Sequence, residues 1–317
     1  MILVCGEALV DLFLAQPEGA GIPARIVAGG SPFNVAIGLA RLGQPSAFLG
    51  GLSKDHFGQY LSELLSREGV SLDHIHRSSR LTTISVVSTD AFGSPAYSFH
   101  GEGAADRMLE SKDLPANLPD SVTALTFGSY TLCVEPVGTA YLALAQREKG
   151  KRVISLDPNV RPSIVGDMLA WRTRFDAFLA CATIVKASAE DIEIAYGSGT
   201  RIGDIARSWL AAGPALVVVT LGEQGAVAFF QGGEVSVSGR KVVVADTVGA
   251  GDTFHAALLA RLATSGFLEM SRIATVPRNI IVDALGYAIA ASSITCSRVG
   301  ADLPRAVDVS HVLSGVA

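Results

Sequence analysis

Lys241-Val242-Val243-Val244-Ala245-Asp246-Thr247-Val248-Gly249-Ala250-Gly251-Asp252-Thr253-Phe254 is the stretch on which the reading of this chain turns. The β-rich run predicts a strand over 241–245, and small residues follow it. Phe254, Ala257, Leu258, Arg261 and Leu262 then recur at turn spacing, which predicts a helix. A strand, a glycine turn and a helix with an acid in its first turn make a site for an anion. The free N–H groups from Gly249 to Asp252 can converge on one spot, where the helix dipole adds partial positive charge. Glycine lets an anion approach the backbone without a Cβ in the way. Asp252 does not suit that task, since a carboxylate competes with a phosphate for the same helix end. It does suit the receipt of a proton from a hydroxyl that attacks phosphorus. The stretch therefore points to phosphoryl transfer onto a small hydroxylated molecule.

Simpler readings fail on particular residues. A dinucleotide fingerprint needs a third glycine where Phe254 stands, and the stretch lies too late for the βαβ unit such a site requires. A Walker loop is absent: Gly150-Lys151 is followed by Arg152, and Ala145 occupies the other glycine position. A first-turn acid alone is also an ordinary helix-start residue. The rest of the chain decides between that reading and the catalytic one.

With 317 residues, 49% of them apolar and only 17% charged, the chain has the composition of a compact, well-buried enzyme. A net charge of −5 gives no electrostatic case for nucleic acid or an anionic membrane as partner. Cys5, Cys133, Cys181 and Cys296 form no Cys-x-x-Cys pair, so they read as small apolar residues of a reducing cytoplasm. His74-x-His76 with His100 lacks the spacing of a metal set. The chain starts on a strand with no basic leader and shows no run of membrane-span length, so a cytoplasmic enzyme is expected.

Met1–Cys5 predicts a strand, and Leu9–Leu14 is an apolar run with Asp11 in its middle, a turn residue or a ligand. Gly29-Gly30-Ser31-Pro32-Phe33-Asn34 opens a helix that is apolar nearly all round and stops at Gly43. Ser31 is expected to cap it and Pro32 to fill its first position. Asn34 is then a buried amide in need of partners. An amphipathic helix is expected over 55–67. Thr82 to His100 reads as a hairpin turning at Asp90–Ser94, with Tyr97 and Phe99 on its second strand. From residue 124 onward strands and helices alternate. Asp157, Arg161, Lys186, Ser188 and Gly222 all fall just after strands, as the Gly249 loop does. Alternation of this kind implies an α/β fold with a doubly wound parallel sheet and ligands across the strands' carboxyl ends.

Gly29 to Asn34, taken with Asp246 to Phe254, resembles the two signatures of the ribokinase-like (PfkB) sugar kinases, and the likeness covers essentially the whole chain. Tyr97-x-Phe99, Ala104-Ala105-Asp106 and Asp157-Pro158-Asn159-Val160-Arg161 look most like the bacterial fructokinase branch. The resemblance implies one kinase domain over 1–317: a mostly parallel sheet flanked by helices, with a small β-sheet lid near 9–28 and 82–100. It implies Asp252 as catalytic base, Gly249, Ala250 and Gly251 as anion hole, and Arg161 near the sugar and the transferring phosphate. Asp11, Gly29, Gly30 and Asn34 would hold sugar hydroxyls, with Tyr97 and Phe99 from the lid. Lys186, Ser188, Thr220, Gly222 and Gly225 would line the ATP side. Mg²⁺ is implied, and a K⁺-type cation near Asp246, Val248, Arg298 and Gly300. The family's Asn-x-x-Glu reads Ser188-Ala189-Glu190-Asp191 here, so either Glu190 or Asp191 would supply the acid linked to Mg²⁺. A homodimer through the lid is also implied.

The sugar is argued from charge. A sugar acid calls for an Arg or Lys clamp, and the lid from Leu81 to Asp106 has neither, while Arg161 keeps the sugar acid as an alternative. A neutral hexose, D-fructose, is therefore expected. A sugar acid such as 2-keto-3-deoxygluconate is the first alternative, then ribose or a nucleoside. A catalytically idle sugar-binding regulator is the alternative outside enzymes.

Overall fold

The computed structural model describes residues 1–89 and 95–315. The turn expected at Asp90–Ser94 and the side chain of Tyr97 lie outside the described residues. The strands are β1 (Ile2–Cys5), β2 (Leu9–Leu14), β3 (Ala24–Gly29), β4 (Ser46–Leu49), β5 (Gly51–Ser53), β6 (His76–Ser78), β7 (Ile84–Thr89) and β8 (Pro95–His100). They continue with β9 (Ala124–Gly128), β10 (Val153–Asp157), β11 (Ile184–Ser188), β12 (Leu216–Thr220), β13 (Ala226–Phe230) and β14 (Gly233–Val237).

The large sheet runs β14-β13-β12-β11-β10-β9-β1-β4. From β12 to β4 every pairing is parallel, and the β12–β13 and β13–β14 pairings are antiparallel. Both faces are covered, so the parallel strands are buried throughout rather than alternating with solvent. On β1, Ile2 and Val4 enter the core shared with helices Ser31–Arg41, Ala250–Thr264 and Arg278–Cys296. Leu3 and Cys5 enter the opposite core, filled by Tyr141, Trp171, Phe175 and Trp209. The two-residue period of the strand thus feeds two cores.

The chain passes from β1 to β4 on one side and only later returns to β9 on the other. That reversal makes a crevice at the carboxyl end of β1, where α/β sheets bind ligands. The helix Ser31–Arg41 enters there. A second sheet, β3-β2-β7-β8, pairs the two expected lid segments with each other. Asp11 is not in a turn. It sits inside β2, in register with Val27, Ser85 and, one strand further, Phe99, so these four share one face. Phe99 meets the buried Tyr130 edge-on at 6.3 Å, which lays that face against the segment following β9.

Three expectations need correction. No strand forms over 241–245: the valines pair with no sheet edge, and Val243 is 90% exposed. Ser31 does not cap its helix. Gly30 takes the cap position with φ 106°, and the Ser31 hydroxyl goes elsewhere. The helix Arg278–Cys296 is long and apolar enough by length and composition to cross a membrane, contrary to the count of apolar runs. Its apolar residues Ile281, Ala284, Leu285, Ala288 and Ala291 are instead core against the Ala250–Thr264 helix.

Candidate active site

Two helices deliver their first turns to one point. Gly249, with φ 77°, caps the Ala250–Thr264 helix in a left-handed conformation that a side chain would strain; an added Cβ would also lie 2.7 Å from that of Ala301. Thr253 and Thr295, joined hydroxyl to hydroxyl at 2.8 Å, fasten this helix start to the Arg278–Cys296 helix. Asp252 in the first turn is buried. From the other helix, Asn34 Nδ2 donates to Asp252 Oδ2 at 2.8 Å and Ser31 Oγ donates to Asp252 Oδ1 at 2.6 Å. The two signature stretches are therefore joined by hydrogen bonds on a single carboxylate.

Among the described residues the amides of Gly249, Gly251 and Asp252 have no backbone acceptor. The Ala250 amide differs from expectation: it closes the turn onto the Thr247 carbonyl at 3.2 Å. An anion at this helix start would therefore meet the other three. A Cβ on Gly251 would stand 3.3 Å from Lys186 Nζ, so the lysine borders the same spot. Lys186 Nζ donates to Asp157 Oδ2 at 2.7 Å, both side chains being buried. Burial opposes the Lys186 charge, but Asp157, Asp191 and Asp252 outweigh it and hold the lysine's pKa above its ordinary value. Burial pushes Asp157 up to about 6 despite that lysine. His255, in the next turn, shares a proton with Ser155 Oγ at 2.8 Å. Burial and the Lys186 charge push its pKa down to about 3, so the ring is neutral.

Asp11 faces this centre from the lid. Burial raises its pKa, Ser85 and the Arg161 guanidinium pull it back, and the Asp252 charge raises it further. Arg161 itself is exposed beyond β10 and donates to the Val160 carbonyl at 3.2 Å. Beneath them Glu7 is buried at the end of β1, its pKa pushed up to about 8 by burial. The chain shows no local trace of Ser31, Glu7 and His255 as members of this site, because their contacts are with residues distant in sequence.

Ser188 and Thr220 end the adjacent parallel strands β11 and β12, and Gly222 and Gly225 lie in the turn from β12 to β13. Thr220 Oγ1 reaches the Ala187 carbonyl at 3.4 Å. Of the two acids expected near Mg²⁺, Glu190 is exposed. Asp191 is occupied by the protein: it accepts from Val160 N at 2.7 Å, Ser188 N at 2.9 Å and Ser188 Oγ at 2.6 Å. Asp246 accepts from Val248 N at 3.0 Å and Gly300 N at 2.9 Å, which brings the two expected cation segments side by side. Arg298 is turned to Asp302 and Asp308.

The family model described as pfkB family carbohydrate kinase matches residues 1–307. The chain belongs to that family. It is 40% identical to a fructokinase of Rhizobium leguminosarum bv. trifolii over 87% of this chain and 84% of that one. Among solved structures it is similar to a fructokinase with bound ATP from Xylella fastidiosa, with TM-score 0.90 and 25% identity over 99% and 98% of the two chains. It is also similar to the fructokinase of Vibrio cholerae O395 in a form binding fructose, ADP and calcium, with TM-score 0.84 and 28% identity over 98% of each chain. The ribokinase-like α/β fold and ATP-dependent sugar phosphorylation expected from the sequence are thereby borne out.

Proposed function

We propose that this kinase transfers the γ-phosphoryl group of ATP to the terminal hydroxyl of D-fructose, giving fructose 6-phosphate. The observation that carries the reading is the Asp252 carboxylate, held by Ser31 and Asn34 beside free helix amides and Lys186. Phosphoryl transfer has a loose transition state, so alignment and charge stabilisation are the protein's main contributions. The Gly249, Gly251 and Asp252 amides and Lys186 receive the charge on the γ-phosphate. Arg161 lies on the sugar side of the same phosphate. Asp252 orients the hydroxyl and takes its proton as the oxygen–phosphorus bond forms and ADP leaves. Asp11, Gly29, Gly30, Asn34 and Phe99 hold the sugar. Ser188, Thr220, Gly222 and Gly225 line the nucleotide.

Mg²⁺ fits as a metal carried on the ATP phosphates with few protein ligands, because Asp191 is consumed by protein donors and only Glu190 is presented to solvent. It supplies neutralisation of phosphate charge. A K⁺-type ion fits the carbonyls of Asp246 and Val248 near Gly300, where Asp246 draws the two segments together. We assign the whole of 1–317 to one domain with its lid, in the cytoplasm. The outward face of the lid, with Ile26 44% exposed and Ile22 53% exposed nearby, suits a homodimer. A monomer mass by light scattering at micromolar concentration would contradict that assembly.

The test of the reaction is Asp252→Asn in a coupled ADP-release assay, with the product identified by phosphorus NMR. The variant keeps the size and helix start but not the proton acceptor, so turnover should fall by about 10² or more with little change in stability. Near-normal kcat would show Asp252 to be only a helix-start acid.

A further inference from the structure

Ser31 occupies the first position of its helix, yet its hydroxyl caps nothing. It lies 2.6 Å from Asp252 Oδ1, while Asn34 from the same helix lies 2.8 Å from Oδ2. Each oxygen of the carboxylate thus has one donor, and the group cannot rotate without losing both. A carboxylate offers about four lone-pair positions, so each oxygen still has one for a substrate hydroxyl.

Asp252 takes the Ser31 proton, so the Ser31 oxygen can accept a hydrogen bond in turn. Asp157 Oδ1 is buried with no hydrogen-bond partner among the described residues. Asp157 and Ser31 line the same small cavity, together with Thr126 and His255. Its volume of about 10 Å³ is just enough for one water. A water seated there donates one hydrogen to Asp157 Oδ1 and the other to Ser31 Oγ. Ser31 then accepts from the water while it donates to Asp252, and the water holds the hydroxyl in that orientation. Asp157 is itself held in place by Lys186 at 2.7 Å.

We propose that Ser31, directed by one buried water held on Asp157, is a positioning residue that fixes the carboxylate of Asp252 for proton acceptance. The proposal rests on the reading of Asp252 as the base. It also ties the lysine at the anion site to the base through Asp157, the water and Ser31, so that both ends of the reacting group share one scaffold.

The experiment compares Ser31→Ala, Ser31→Thr and Asp252→Asn by steady-state kinetics and melting temperature. Ser31→Ala should lower kcat about 10- to 100-fold, the cost of a misplaced catalytic group. KM for both substrates should stay within about twofold, as for an interaction made chiefly in the transition state. Ser31→Thr keeps the hydroxyl and should retain most of kcat. A merely structural serine would instead lower the melting temperature and leave kcat alone, and that result overturns the proposal. Wild-type kcat in Ser31→Ala with an inactive Asp252→Asn overturns the role of Ser31 alone. Full turnover in Asp252→Asn overturns both this proposal and the assignment of the base. A crystal structure should show a water within hydrogen-bond reach of Asp157 Oδ1 and Ser31 Oγ, and a dry cavity there overturns the water's part.

Discussion

Asn34 and Asp252, 218 positions apart in the chain, meet side chain to side chain, with Nδ2 donating to Oδ2 at 2.8 Å. A buried amide is costly unless it is hydrogen-bonded, and here the bond is to the candidate base rather than to a backbone group. Among the described residues Asn34 makes no other side-chain hydrogen bond, so its remaining hydrogen and its carbonyl oxygen are left for a sugar hydroxyl.

Asn34→Leu removes both contacts at once. We expect kcat/KM for the sugar to fall by about 2–4 kcal/mol, the cost of leaving polar partners unpaired in a closed site. The KM for ATP should be nearly unchanged, and Leu should be accepted in a buried helix. A lower melting temperature with unaltered kcat/KM would mean that Asn34 serves only the fold.

Gly29 allows the Asp11 carboxylate to lie against the backbone of β3. An added Cβ would stand 2.2 Å from Asp11 Oδ2, closer than any non-bonded contact permits. Gly29→Ala should therefore push Asp11 from the sugar side and raise the sugar KM about 10-fold or more, a displacement on the scale of 1 Å being enough. The nucleotide KM should not follow. An unchanged sugar KM in this variant would remove Asp11 from the sugar site.

Glu7 provides a test that reads stability. Burial raises its pKa from 4.5 to about 8, against the opposing pull of Ser129 and with a further rise from Asp106. The folded state therefore binds more protons than the unfolded chain between these values, and stability attributable to Glu7 is present at acid pH and lost as pH rises toward 8. His255, with its pKa lowered to about 3, acts in the opposite direction below its ordinary value of 6.5. The clean window is consequently about pH 6.5–8. Glu7→Gln mimics the protonated acid. In urea denaturation its advantage over the native chain should grow by roughly 2 kcal/mol between pH 6.5 and pH 8. A difference between the two proteins that stays constant from pH 6.5 to pH 8 would show that Glu7 titrates normally.

The alternation of strands and helices was legible in the chain because it rests on local periodicity, and the two signature stretches were legible because glycines and a proline mark helix starts. Val242 to Val244 show the limit of such reading. β-branched residues favour an extended backbone, but a strand needs a partner edge, and that edge is not encoded locally. Ser31 shows the same limit from the other side. Its residue type and position suit a cap, yet Asp252, 221 positions away, competes for the hydroxyl and wins it. Asp191 was expected at the metal, but it closes a capping box with Ser188 and accepts the Val160 amide as well. The parallel pairing of β2 with β7 that builds the lid likewise joins segments whose meeting no local pattern announces.

The central claim is a fructokinase whose lid brings no Arg or Lys clamp to the sugar, and a comparison of acceptors tests it most directly. With the purified protein, ATP and Mg²⁺, kcat/KM is measured for D-fructose, 2-keto-3-deoxygluconate, D-ribose and a nucleoside. The predicted result is a clear preference for D-fructose, on the order of 10²-fold over the sugar acid, since its carboxylate would enter a site that already holds Asp11 and Asp252. Comparable or better kcat/KM with 2-keto-3-deoxygluconate would contradict the account.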